Sequence, residues 1–195
     1  MRQIFTQDEK EKKKKRNHIA IGAILAVLMV LSTAGFAFIN TNFSGNSGGN
    51  NKENYNGFEF VLENNGLWGI NSQGNKFFFR YSPKEVETIN VPYINLGNYY
   101  GKILYFVSDD SRVEREIASV LQFYALRIQY ACIEGKKCEN EELPVKNCDE
   151  NVIVIDESND TKISTDNNCV FITGKSSDKI KAADAFLYKL LGIIQ

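Results

Sequence analysis

Three apolar runs in this sequence end in residues that could do chemistry. Lys102-Ile103-Leu104-Tyr105-Phe106-Val107 leads into Ser108-Asp109-Asp110. NVIVI (Asn151 to Ile155) leads into Asp156-Glu157, and CVFI (Cys169 to Ile172) into Thr173-Gly174-Lys175-Ser176-Ser177. Nearly continuous apolar runs of this kind mark strands buried on both faces. If the three are parallel neighbours, their carboxyl ends meet where α/β sheets hold ligands. There Asp109, Asp110, Asp156 and Glu157 could bind Mg²⁺ or Ca²⁺ through oxygen, and the Gly174-Lys175-Ser176 turn could cradle an anion at a helix start. The competing role is ordinary capping and turn formation, which the same residue types serve. A phosphate loop would need a glycine five positions before Gly174, and that position is Cys169.

The one histidine is His18, so the region from residue 58 onward has none. That removes a Ser-His-Asp triad, a Cys-His pair and any His-ligated metal from that region. All four cysteines, Cys132, Cys138, Cys148 and Cys169, fall there, and four cysteines allow three pairings. The favoured pairing is Cys132–Cys138, closing a loop after a long helix, with Cys148–Cys169 tying the NVIVI strand to the CVFIT strand. Five, nine and twenty residues separate successive cysteines, without the short pairs of a tetrahedral zinc site and without a C-x-x-C redox motif. Structural disulfides are therefore expected, with zinc and free thiols as the alternatives. No metal or cofactor is assigned. Asn42-Phe43-Ser44 and Asn159-Asp160-Thr161 fit the N-glycosylation pattern.

The elements that would display these residues begin with an anchor. Residues 1–17 carry seven Lys/Arg against three acids, whereas the remainder carries sixteen against twenty-one. The basic excess abuts Ile19 to Ile39, a stretch of 21 residues without a charge. At about 1.5 Å per residue such a stretch covers roughly 31 Å, the hydrocarbon thickness of a bilayer. The pattern predicts a transmembrane helix over 18–39 with a cytoplasmic basic tail, and no nucleic-acid role for the lysines. A cleaved signal ending near Ser32-Thr33-Ala34 is the alternative. The run resumes with Gly35-Phe36-Ala37-Phe38-Ile39, where a cleaved signal turns polar. Residues 40–57 contain seven Asn, four Gly and no aliphatic side chain, and are expected to form a flexible tether with a reach of about 23 Å.

Residues 58–195 are enough for one α/β domain with a mixed sheet. A three-strand meander is expected from Phe58–Glu63, Leu67–Ile70 and Lys76–Tyr81, then an extended piece, Val86 to Val91, between Pro83 and Pro92. A β-α-β-β-α sequence follows. Ser111 and Glu114 form a capping box for a helix running to about Ala131 through Val113, Ile117, Leu121, Tyr124 and Ile128. Lys162-Ile163-Ser164 reads as a short strand. Ser176 or Ser177 caps a last helix with Ile180, Ala183, Leu187, Leu190 and Leu191 on its inner stripe. Phe77-Phe78-Phe79 cannot all face inward on a strand, so one side of it needs a second cover or an exposed ring.

The ending NCVFITGKSSDKIKAADAFLYKLLGII, preceded by LPVKNCDENVIVID, resembles that of small single-span surface proteins of archaea. They share a basic start, one helix, an Asn/Gly-rich tether and a Cys-containing α/β ectodomain. The resemblance covers roughly the last 60 residues and implies a cell-surface setting, with no activity and no functional residue to carry over. The expectation is a membrane-anchored extracytoplasmic binding or accessory module of the cell envelope. It would touch the lipid bilayer through residues 18–39 and an envelope protein partner outside. The alternative is an ectodomain hydrolase using carboxylates or a divalent metal at the strand ends.

Overall fold

The computed structural model describes residues 52–195 except Asp109 and Glu139. The basic tail, the span at 18–39, the tether as far as residue 51, and Asn42 therefore lie outside the described residues. Among the described residues no helix is long and apolar enough to cross a membrane.

Four antiparallel strands open the domain: β1 (Lys52–Tyr55), β2 (Phe58–Leu62), β3 (Trp68–Ser72) and β4 (Asn75–Phe79), in that order across the sheet. The meander thus has one strand more than the sequence suggested, because Lys52–Tyr55, assigned to the tether, pairs with β2. Asn56-Gly57 makes the turn, with φ of 48° and 85°. Those are the positive angles that a two-residue hairpin requires. Strand alternation sends Phe60, Ile70, Phe77 and Phe79 into the core and leaves Phe78 outside, where the Lys76 ammonium lies 5.1 Å from its ring centre.

The segment after Pro83 is not extended. Pro83–Val86 is a single helical turn, α1, in which Pro83 occupies the first position and Glu85 accepts a hydrogen bond from the Ser82 amide at 2.7 Å. Proline suits that position because the amide it lacks has no partner in a first turn.

The second sheet is built from β5 (Ile103–Ser108), α2 (Ser111–Leu121), β6 (Arg127–Tyr130), β9 (Asn151–Glu157), β10 (Lys162–Asp166) and β11 (Cys169–Gly174). Its order is β10-β11-β9-β5-β6, with β10 antiparallel and the rest parallel. Two short strands, β7 (Cys132–Ile133) and β8 (Val145–Lys146), pair beside it, and α3 (Ser176–Leu190) follows β11. The helix expected to reach Ala131 ends at Leu121. Tyr124 and Ile128 keep helical spacing from Leu121, but the chain turns and Ile128 belongs to β6. Backbone bonds from Gly101 to Tyr124 and from Leu126 to Lys102, both 2.8 Å, lock that turn onto the start of β5.

Leu104, Phe106, Ile153, Ile155, Val170 and Ile172 face the two long helices. Their neighbours Tyr105, Val152, Val154 and Cys169 face the other way, beneath Ala131 and Ile133. The disulfides Cys132–Cys138 and Cys148–Cys169 staple that side, in the pairing favoured from the sequence. Helix α3 lies between the two sheets and is buried nearly all round, which its run of alanines permits. On its meander side the Phe60 and Phe79 rings lie 5.6 and 4.4 Å from that of Tyr188.

A buried acid fastens α3 to the meander. Asp184, fully inaccessible, accepts hydrogen bonds from the Arg80 and Tyr81 amides at 3.1 and 2.9 Å. Burial, and then the nearby Glu116 charge, hold its carboxyl well above the ordinary range. Both amides meet Oδ2, whereas Oδ1 is buried without a hydrogen-bond partner among the described residues, a setting that favours the neutral acid. Arg80 Nε stands 3.3 Å from the Glu116 carboxylate.

Candidate functional site

β11, β9 and β5 are parallel neighbours, aligned so that Ser108 stands beside Ile155 and Thr173 beside Asp156. The chain leaves β5 for β6 on one side and returns to β9 on the other. The order of the parallel strands therefore reverses between β5 and β9. Such a reversal opens a crevice at the carboxyl ends, the usual ligand position of open α/β sheets. Both long helices begin there.

Side-chain alternation divides the acids. Glu157 projects to the helix side, and Asp156 to the opposite side, where it is paired with Lys136 of the Cys132–Cys138 loop. On the helix side, Asp110 is the N-cap of α2, and its Oδ1 accepts from the Arg112 amide at 3.2 Å. Asp110 thus takes the position expected for Ser111, which is the first helical residue. The Arg112 guanidinium folds back on the same carboxylate, with Nε–Oδ1 3.2 Å and Nη2–Oδ2 3.1 Å. Nη2 also donates to the Ser176 hydroxyl.

Lys179 sits beneath this group, its side chain only 3% exposed. Its ammonium lies 3.3 Å from Asp110 Oδ2 and 2.8 Å from Glu157 Oε2. Burial by itself would raise the Asp110 carboxyl, but hydrogen bonds from Arg112 and Lys179 outweigh burial and hold it below its ordinary value. Burial would likewise lower the Lys179 ammonium, but its bonds to Glu157 and Asp110 leave it raised. Gly174 lets the chain entering β10 pack closely on the end of β11. At φ 153°, a Cβ there would stand 3.1 Å from Thr161 Oγ1. Lys175 is the exposed N-cap of α3 and makes no side-chain cap bond. Neither Ser176 nor Ser177 holds the cap position expected for it.

An open cavity of about 330 Å³ on the helix side is lined by Asp110, Ser111, Arg112, Glu157 and Lys179. A second, of about 340 Å³, lies on the disulfide-loop side, with Val107, Ser108, Ile133, Lys136, Leu143 and Asp156 among its walls. Of the residues singled out from the sequence, Asp110, Glu157 and Ser176 converge. Asp156 faces away from them, Lys175 makes no cap bond, and Asp109 lies outside the described residues. Asn159 is exposed in the turn after β9. Among the described residues no group of three or more His, Cys, Asp or Glu side chains is arranged to hold a metal ion.

Arg112 and Lys179 were not anticipated. The sequence does hold a signal for Lys179: it shares helical spacing with Ala182, Ala183, Phe186 and Leu190, a second apolar stripe on α3. Comparison with family models, with curated proteins and with solved structures finds no match for this chain.

Proposed function

We propose that this chain is a membrane-anchored module displayed outside the cell, binding a ligand or envelope partner at the carboxyl edge of its parallel sheet. The outer location is supported by the two disulfides of the folded domain and by the lysine-rich flank of the apolar run. The observation that carries the binding role is the charge balance around the helix-side cavity. Asp110, Glu157, Arg112 and Lys179 neutralise one another over an open crevice, an arrangement suited to recognition. A hydrolase that used one of these carboxyls as a general acid would need it to hold a proton near neutrality. Asp110 is held ionised, and Asp156 is turned to the opposite side of the sheet.

Location and binding are tested together in intact cells. A C-terminal tag should be removed by external protease and should sediment with carbonate-washed membranes. The cysteines should resist alkylation until reduced. A photo-crosslinking residue at exposed Lys175, the N-cap of α3, should give a discrete adduct, whereas one at exposed Asn167, in the turn between β10 and β11 at the opposite end of the sheet, should not. A soluble tagged protein, or thiols that react without reductant, would refute the location. Identical crosslinking patterns at both positions would refute the binding edge.

A further inference from the structure

We infer that the helix-side cavity is a carboxylate-binding site in which Glu157 stands in for the ligand, occupying it until an external carboxylate takes its place. The inference rests on the binding role proposed above and names the chemistry that the site would take. Lys179 is a buried cation at the base of an open cavity, and one of its two partners is a side chain of a different character from the other. Asp110 is 9% exposed and fixed by the α2 amide and the Arg112 fork. Glu157 is 66% exposed, at the end of β9, and among the described residues its carboxylate is paired with Lys179 alone. An exposed carboxylate of this kind gives up side-chain freedom to reach its partner and holds it weakly. A ligand carboxylate can occupy the same 2.8 Å position on Nζ while its second oxygen meets the Arg112 guanidinium, which is 47% exposed.

Charge selects the ligand. With Glu157 seated, the two cations and two anions among the described lining residues cancel. With Glu157 swung into solvent, Lys179 and Arg112 exceed Asp110 by one positive charge. A monoanion restores neutrality. A phosphate dianion would leave an excess negative charge beside the enclosed Asp110, which disfavours it. The site is therefore assigned to a carboxylate-bearing small acid, with the phosphate dianion disfavoured by charge.

The test is a titration of the full chain in detergent micelles at about pH 8.5 with sodium acetate, read by ligand-observed NMR at constant ionic strength, with inorganic phosphate, mostly the dianion at that pH, as the second arm. Glu157→Gln removes the competing charge and should tighten acetate binding about fivefold, the factor set by freeing a site occupied by a surface-strength ion pair. Arg112→Gln, at a half-exposed position, should weaken it about tenfold in the Glu157→Gln background. Acetate binding unchanged by Glu157→Gln would overturn the assignment, as would phosphate binding more tightly than acetate. Tightened acetate binding without a crosslinked adduct at Lys175 would support this site while refuting the wider binding role. An adduct without tightening would refute this site alone.

Discussion

Asp184 is a buried acid whose replacement reports directly on the joint between α3 and the meander. Asp184→Ala leaves the Arg80 and Tyr81 amides buried without an acceptor, at about 1–3 kcal/mol each. Removing a desolvated carboxyl returns part of that, so the net loss of stability is expected to be about 3 kcal/mol. Asp184→Asn keeps an acceptor oxygen for both amides and, like the protonated acid, carries no charge. It should lie within about 1 kcal/mol of the wild type at pH 5. The two proteins part as pH rises. Unfolded, Asp184 ionises near pH 4. Folded, burial and the Glu116 charge keep its proton to higher pH. The folded state then binds more protons than the unfolded one. The contribution of Asp184 is thus complete below the unfolded value and is lost as pH climbs through the folded one, with a slope of up to about 1.4 kcal/mol per pH unit. Asp110 and Glu150, both held low, act in the opposite sense and only toward acid pH. Tyr55, Tyr124 and Tyr130, all raised, matter only in strong alkali. Denaturant unfolding of the oxidised full chain in micelles, from pH 5 to pH 9, isolates the acid. The wild type should lose stability across that range relative to Asp184→Asn, and the difference cancels any contribution of His18. Parallel curves for the two proteins would show that Asp184 is ionised when folded and would refute the neutral buried acid.

Lys179→Met should destabilise the fold by about 3 kcal/mol, because it strips a buried cation from the enclosed Asp110, whereas Glu157→Gln should cost under about 1 kcal/mol; thermal unfolding of both compares them. Tyr188→Phe removes the 2.6 Å bond to the Tyr81 carbonyl and should cost about 1 kcal/mol by the same measurement. Cys148 and Cys169 close a separation of 21 residues and Cys132 and Cys138 one of 6, so loss of the first disulfide should cost about 3 kcal/mol and loss of the second about 2 kcal/mol in denaturant midpoint shifts.

The strands that carry the crevice were legible because burial on both faces writes itself as unbroken apolar runs, and Ser108, Asp156 and Thr173 mark where those runs meet solvent. The disulfide pairing was legible for a related reason, since Cys148 and Cys169 flank strands that had to be neighbours. β6 was hidden, because Tyr124 and Ile128 continue the helical spacing of α2 and no glycine or proline interrupts them. Only the docking of that turn on β5, a contact between segments about 20 residues apart, ends the helix. β1 was hidden because Lys52–Tyr55 is polar, although Asn56-Gly57 is a strong hairpin signal. Lys179 was overlooked because a lysine on a helix ordinarily reaches water, and its burial follows from two acids contributed by other elements. Asp110 and Ser111 are both good N-caps, and Arg112, by gripping Asp110, decides between them.

Helix α3 comes after all eleven described strands, yet it supplies the hydrophobic ceiling of one sheet and the floor of the other. A chain emerging N-terminus first would expose two half-finished layers until that helix arrived. Shortening the polypeptide before Ser176 would spare every strand and still leave the meander uncovered by α3 and the second sheet roofed by α2 alone.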